Sequence, residues 1–458
     1  MQIEVKAYLW IMPPKDRPNV LFIIVDDHRA DALGAMGHPV LQTPALDKLS
    51  DEGTLFTNAR IMGSLVPAVC APSRACLLTG QGLFEADAFA RCTPRPSNDV
   101  PIGEERPTLP QVFREQGYET FLAGKWHNDT ASAIRSFESG KNIFHRGMCE
   151  HTAVPVQDLK DLIEGRAAQT AEGFSSEVFC DTAIEFIRYR DDERPFFLWL
   201  ALTSPHDPRT PPPPYDTLYA PDSIPLPANF LPEHPFDNGE LDIRDERLAP
   251  RPRDPARVRK ELADYYGMIS HHDACLGRVF DCLRETGQDR DTLIVYVSDH
   301  GLAIGSHGLL GKQNLYEHSV RVPLILRGPG VHQGARCAYR MYSLDLFATL
   351  CELAGIEAPE SLESCSVVPA MQGHPQQPRE ILPSTYSRIQ YSAYDGRWKL
   401  IRYLVNGQER LQLFDLKTDP HEQRDRASDP TCAPLIEDLL KHLNAWQQAN
   451  EAIPAAVS

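Results

Sequence analysis

The stretch Asn19-Val20-Leu21-Phe22-Ile23-Ile24-Val25-Asp26-Asp27 decides the fold. Its apolar run is rich in β-branched residues and has no polar face. That is the pattern of a strand covered on both sides in a parallel sheet. The run stops at two adjacent carboxylates. The same design recurs further on. A strand at 118–122 leads to Gly124-Lys125-Trp126-His127, one at 195–201 ends before Ser204-Pro205-His206-Asp207, and one at 292–297 ends at Ser298-Asp299-His300-Gly301.

Helical signals fall between these strands. Thr43-Pro44 reads as N-cap and first helical residue of a helix that ends near Gly53. Thr108-Leu109-Pro110 opens a helix that Gly117 stops. Longer amphipathic patterns predict helices over 176–188 and from about 260 to 285. A further strand at 322–326 and a helix at 343–355 follow. Helix and strand alternating in this way predict an α/β fold: a large, mainly parallel sheet flanked by helices on both faces.

Beyond residue 375 the style changes. Alternating segments at 398–403 and 410–415 predict antiparallel strands, and 434–449 a final helix. The expected organisation is a catalytic domain over 1–375 and a small antiparallel-sheet subdomain over 376–458. Residues 209–255 are Pro-rich and aperiodic, which predicts a functional surface loop or local disorder.

The chain has 458 residues and a formal charge of −17. Such a surface repels nucleic acid and anionic membranes, so neither is an expected partner. An anionic substrate would need a local basic pocket. Residues 1–12 lack the basic start and long apolar stretch of an export signal. The eleven cysteines show no Cys-x-x-Cys spacing. Reduced thiols and a cytoplasmic location are expected, or a periplasmic one if a leader has been removed.

In open α/β sheets ligands bind outside the carboxyl ends of the strands. The polar clusters after the four strands should therefore converge. Asp26, Asp27 and Asp299 would crowd three carboxylates together, and like charges so close need compensation. A hard divalent cation such as Ca²⁺ suits so oxygen-rich a set. Lys125 and His127, expected on one face of an extended segment, would join His206 and Lys312 in a basic pocket for a tetrahedral oxyanion. Cys70, in Cys70-Ala71-Pro72-Ser73-Arg74, would open a helix that Gly80 closes. It would sit at the positive end of the helix dipole.

These motifs together resemble the type I sulfatases of the alkaline phosphatase superfamily. Cys70-Ala71-Pro72-Ser73-Arg74 with Leu78-Thr79-Gly80 is similar to the signature whose cysteine a formylglycine-generating maturation enzyme converts to formylglycine. The strand-end motifs, Thr43-Pro44-Ala45-Leu46-Asp47, and Leu413-Phe414-Asp415-Leu416 with Asp419-Pro420 fit in the family's order. The resemblance implies the alkaline-phosphatase-like fold and one Ca²⁺ per chain, held by Asp26, Asp27, Asp299, His300 and modified Cys70. It implies that Arg74 and Lys125 hold the modified residue, and that Lys125, His206 and Lys312 contact sulfate. His206, with Lys312, would protonate the leaving alcohol, and His127 would take the proton that releases sulfate.

Segments 61–69, 204–215 and 305–322 most resemble bacterial carbohydrate sulfatases, which makes a sulfated carbohydrate the expected substrate. Arg209, His271, His272, His307, His318 and Arg321 are the candidates for its sugar subsite. Three alternatives stay open at this point. They are a phosphate or phosphonate ester hydrolase on the same fold, a choline or aryl sulfate hydrolase, and a sulfated-glycan binding protein with unmodified Cys70.

Overall fold

The computed structural model describes residues 17–92 and 94–451, so the expectation about a leader in 1–12 falls outside the described residues. The strands that matter here are β1 (Asn19–Val25), β2 (Thr54–Phe56), β3 (Gly63–Ser64), β4 (Glu119–Lys125), β5 (Ser139–Phe144), β6 (Phe196–Ala201), β7 (Thr292–Ser298), β8 (Leu324–Arg327) and β9 (Ala335–Cys337). A second series comprises β10 (Leu382–Tyr386), β11 (Gln390–Tyr394), β12 (Trp398–Val405) and β13 (Gln408–Asp415). The main helices are α1 (Pro44–Asp51), α2 (Cys70–Thr79), α3 (Leu109–Glu115), α4 (Ser175–Tyr189), α5 (Pro255–Glu285), α6 (Leu346–Leu353) and α7 (Ala433–Glu451).

The eight-stranded sheet runs β9-β2-β8-β7-β1-β6-β4-β5. From β7 through β5 every pairing is parallel. The strand expected at 322–326 forms as β8 and pairs antiparallel with both β7 and β2.

β1 shows why the run had to be apolar throughout. Val20, Phe22 and Ile24 enter a core shared with α2, α3 and α6. Leu21, Ile23 and Val25 enter another, shared with α1, α4 and α5. Successive side chains serve opposite faces of the pleat, and both faces are covered. Phe22 stacks on Trp199 of β6 with ring centroids 4.3 Å apart.

The helix expected from Thr43 is α1, but Thr43 does not cap it with its side chain. Its hydroxyl donates to Asp47 and accepts from the Gly34 amide. Asp273 of α5 takes over the free N–H groups of Ala45 and Leu46, at 3.0 and 2.8 Å. Thr108 does cap α3, accepting from Gln111.

The second sheet runs β13-β12-β11-β10-β3. Its four C-terminal strands are antiparallel as expected, and β3 adds a parallel edge from far upstream. Lys399 of β12 lies buried between Glu317 (3.0 Å) and Glu422 (2.9 Å), and Glu317 also meets Arg60 at 2.6 Å. That ion cluster joins the second sheet to the loop after β7. Among the described residues no helix is long and apolar enough to cross a membrane.

Candidate active site

The strand register builds the site. Val25 pairs with Ser298, Ile24 with Ala201, and Ala201 with Gly124. Four strands therefore finish along one edge, and the residue after each end is a functional one. Asp26 follows β1, Asp299 follows β7, Lys125 closes β4, and the segment to His206 leaves β6. Asp27 has φ 70°, a left-handed backbone that Asp tolerates better than most side chains. Gly124 has φ 92°, and a Cβ there would lie 1.9 Å from the Ala201 carbonyl oxygen. Only glycine lets β4 deliver Lys125 so close to β6.

The expectation that Lys125 and His127 share a face of one extended segment is corrected. The strand ends at Lys125, and His127 has φ 61°. The turn buries Trp126, whose indole N–H donates to Asp129 and Ser132. His127 still reaches the site: its ring lies against Gly147, and its charge acts on Cys70.

Cys70 is the first residue of α2, 2% exposed. The Lys125 ammonium stands 3.8 Å from its sulfur, also donates to the Gly147 carbonyl at 2.5 Å, and pairs with Asp26. Burial raises the Cys70 thiol, yet Lys125 and His127 hold it well below its usual range. Arg74, one helical turn on, donates through Nε to Asp299 (2.8 Å) and through Nη1 to the Lys125 carbonyl (2.9 Å). Lys312 reaches Asp27 at 2.9 Å, and Asp27 and Asp245 outweigh its burial and raise it well above its usual range.

Asp26, Cys70, Asp299 and His300 each bring one ligand atom, all within 4.8 Å of one another. Asp26 Oδ1 and His300 Nε2 are buried, 3.7 Å apart, and each lacks a hydrogen-bond partner. A carboxylate oxygen and a ring nitrogen left unpartnered this close together fit a shared cation, which would take the place of the His300 proton. Burial pulls His300 down, but Asp299 and Asp27 carry it up to about 9, as crowded carboxylates demand a positive charge. Burial raises Asp26, and Lys125, His206 and Arg74 more than reverse that. The three carboxylates are offset by three permanent cations, Arg74, Lys125 and Lys312. A divalent ion would tip the site positive and ready it for an anionic ester.

His206 lies with Nε2 4.0 Å from Asp27, while its Nδ1 donates to the Asp207 carbonyl at 2.8 Å. The sugar-subsite candidates are dispersed. Arg209 lines a cavity of about 390 Å³ beside Asp207. His271 instead packs against Phe174 and Tyr215 with Nε2 3.6 Å from Cys275. His272 is fully buried beneath the sheet edge against Ser204 and Tyr296. His307 stacks on Tyr316 at 3.9 Å and bonds the Glu422 carbonyl, with His318 beside both. Arg321 opens on a separate cavity with Arg60 and Tyr394. None of these four histidines, nor Arg321, lines the cavity beside Asp207.

Sequence reasoning missed Arg244, Asp245, Arg257 and Lys260. Arg244 bridges Asp207 and Asp245, and Asp245 accepts from Gln313 at 2.8 Å, next to Lys312. The Pro-rich segment is therefore an ordered wall. Glu246 fastens it by accepting from the Leu310 and Gly311 amides and from Arg253.

A doubly covered, mainly parallel sheet that presents acids, cations and a cysteine of lowered pKa at its carboxyl edge defines a hydrolase of α/β class for esters of a tetrahedral oxyanion. The sulfatase family matches residues 18–356, and the N-sulphoglucosamine sulphohydrolase C-terminal family matches residues 305–449. The chain belongs to the sulfatase family and is a sulfuric ester hydrolase. It is similar to the multifunctional alkaline phosphatase superfamily protein PehA of Trinickia caryophylli, 29% identical over 94% of this chain and 95% of that one. It is also similar to the N-acetylglucosamine-6-O-sulfatase of Bacteroides thetaiotaomicron, 25% identical over 94% of this chain and 86% of the other. Among solved structures, one in complex with its substrate D-glucosamine-2-N,6-O-disulfate superposes with a TM-score of 0.79. The match has 22% identity over 95% of this chain and 98% of that one, and it supports the fold alone.

Proposed function

We propose that this sulfatase hydrolyses a sulfate monoester of a carbohydrate, using formylglycine made from Cys70 and one Ca²⁺ per chain. The observation that carries the reading is the cluster of Asp26, Cys70, Asp299 and His300 at one sheet edge, with Asp27 3.1 Å from His300 Nδ1, in contact with three buried cations. The carbohydrate rests on the N-acetylglucosamine-6-O-sulfatase relative.

Residue 70, once converted to formylglycine and hydrated, would supply the oxygen nucleophile that a thiol cannot replace without forming a stable sulfur adduct. Asp26, Asp27, Asp299 and His300 would hold Ca²⁺, whose Lewis acidity activates that oxygen and polarises the sulfate. Lys125 and Lys312 neutralise the non-bridging sulfate oxygens from buried positions where charge counts most. His206 keeps Nδ1 on the Asp207 carbonyl, which leaves Nε2 to protonate the departing alcohol. At His127, Nδ1 has no partner and is available to accept the proton whose removal releases sulfate.

The test is to express the chain with a formylglycine-generating enzyme, weigh the Cys70 peptide, and follow sulfate release with and without a chelator. The reading expects an aldehyde at residue 70 and chelator-sensitive release. A free thiol there alongside full turnover would overturn it.

The similarity to a multifunctional alkaline phosphatase superfamily protein favours a second reading, a phosphate or phosphonate ester hydrolase. A two-metal phosphatase mechanism fits poorly, because Lys125 and Lys312 already occupy Asp26 and Asp27. Elemental analysis should return one metal per chain. Two bound zinc ions would favour the second reading.

A further inference from the structure

The cavity of about 390 Å³ lined by Asp207 adjoins the sulfate site without sharing a lining residue with it. Asp207 follows His206 in the chain. Met148, which also lines the cavity, follows Gly147, whose carbonyl accepts from Lys125. Asp207, in the cavity wall, also lies against His206, its Oδ1 3.4 Å from Nδ1, so the cavity adjoins the histidine that would protonate a departing alcohol.

Its charges are layered. The acids Asp207, Glu261 and Asp264 are 9%, 14% and 16% exposed, whereas their partners Arg244, Arg257 and Lys260 are 45%, 53% and 53% exposed. Arg244, Arg257 and Lys260 therefore stand outside the acids they pair with, beside one further exposed acid, Glu150. Arg209 adds an inner donor. Its side chain is 4% exposed and pairs with Glu261 through Nη1, but its buried Nε has no partner. A buried unpaired donor marks a place where a ligand acceptor belongs. Among the described residues no aromatic ring lines the cavity, so none of them stacks an aryl alcohol there, while Met148, Pro208 and Leu248 offer apolar surface to the C–H face of a sugar.

We infer that this cavity is the leaving-group subsite, and that Arg209, Arg257 and Lys260 read a second anionic substituent, a sulfate or a carboxylate, on a sugar. The inference rests on the sulfate-ester reading above. It adds a specificity that the sulfate site cannot supply, because that site sees only the group being cleaved.

The test uses matured protein turning over 4-methylumbelliferyl sulfate, with sugars as competitors. One pair is N-acetyl-D-glucosamine 6-sulfate against D-glucosamine-2-N,6-O-disulfate. The other is glucose 2-sulfate against glucuronate 2-sulfate. The dianionic member of at least one pair should inhibit about tenfold more tightly, the worth of one charge-assisted contact. Which pair responds tells sulfate from carboxylate. In the double variant Arg257→Gln/Lys260→Gln the ratio should fall to near one, while Arg284→Gln, far along α5, should leave it intact. Both side chains are half exposed, so the variant should fold. Equal inhibition within both pairs, or a ratio that survives the double variant, would overturn the inference. Matured protein that releases no sulfate from the aryl ester or from any of the four sugar sulfates would instead sink the sulfatase reading beneath it.

Discussion

The two ends of the active site are built by different means. At the sulfate end, Asp26, Lys125, Asp299 and His300 are completely buried, and each is fixed by a strand whose register with its neighbour is hydrogen-bonded residue by residue. At the leaving-group end, the wall consists of ion pairs between segments far apart in sequence: Arg244 with Asp207, Arg209 with Glu261. Its outer members are half exposed. A rigid sheet edge holds reacting atoms to the tolerance chemistry needs. A wall of paired loop charges can change its chemistry without disturbing that edge.

The contrast predicts unequal damage. The largest effect should come from Cys70→Ala. It removes the nucleophile but little volume, so turnover should fall by ~10⁴ or more with the melting temperature nearly unchanged. Steady-state assay beside calorimetry separates the two. Turnover retained within tenfold would end the claim that the buried edge carries the chemistry.

His206 stands where the two ends meet, so its loss should depend on the alcohol. His206→Gln should cost ~10²–10³ in kcat for a sugar sulfate, whose alkoxide must be protonated as it leaves. For a 4-nitrophenyl ester, which leaves unaided, the cost should be about tenfold or less. Equal losses on both substrates would mean that His206 positions the sulfate rather than donating a proton.

The same contrast explains what the sequence disclosed. A buried strand writes an unbroken apolar run, and its end is visible as the first charged residue. Asp26, Lys125, His206 and Asp299 were therefore legible as a convergent set before any coordinates. Cys70 was not legible from local pattern alone and needed the whole motif. The subsite failed for a physical reason. His271 and His272 are consecutive on α5, so they point about 100° apart and cannot share a surface. Both turn inward, His271 to Cys275 and His272 to Tyr296. Arg257 and Lys260 were hidden because α5 was expected to begin near 260. It begins at Pro255 with Asp254 as side-chain cap, a start signal present in Asp254-Pro255.

A third prediction concerns the support beneath His206. His151 bonds the His206 carbonyl through Nε2 at 2.9 Å and Ser175 through Nδ1. Burial lowers His151 to about 4. Its folded value lies below its unfolded one, so the unfolded chain binds the extra proton first. The stability this provides is complete above pH ~6.5 and is lost as pH falls from there toward about 4, by about 3 kcal/mol for this one group. Urea unfolding of His151→Gln at pH 7 and pH 4.5 should show a correspondingly smaller acid-induced loss. An unchanged pH slope would place the sensitivity in other buried histidines.

The smallest effect should come from the wall itself, and it sharpens the comparison most. Arg244 touches no reacting atom. It spans Asp207 and Asp245, and it is 45% exposed. Removing it leaves Asp207, 9% exposed, without its guanidinium partner, so the fold should lose about 1–3 kcal/mol and still form. Asp207, freed from its partner, would turn a negative charge on the departing sugar. KM for a sugar sulfate should therefore rise about tenfold in Arg244→Ala while kcat falls less, the mark of lost ground-state binding. Arg244→Lys keeps the charge but loses the two-pronged grip on Asp207, and should recover only part of the loss. A fall in kcat with KM unchanged would show that the wall positions His206 after all, and the two ends of the site would then act as one unit.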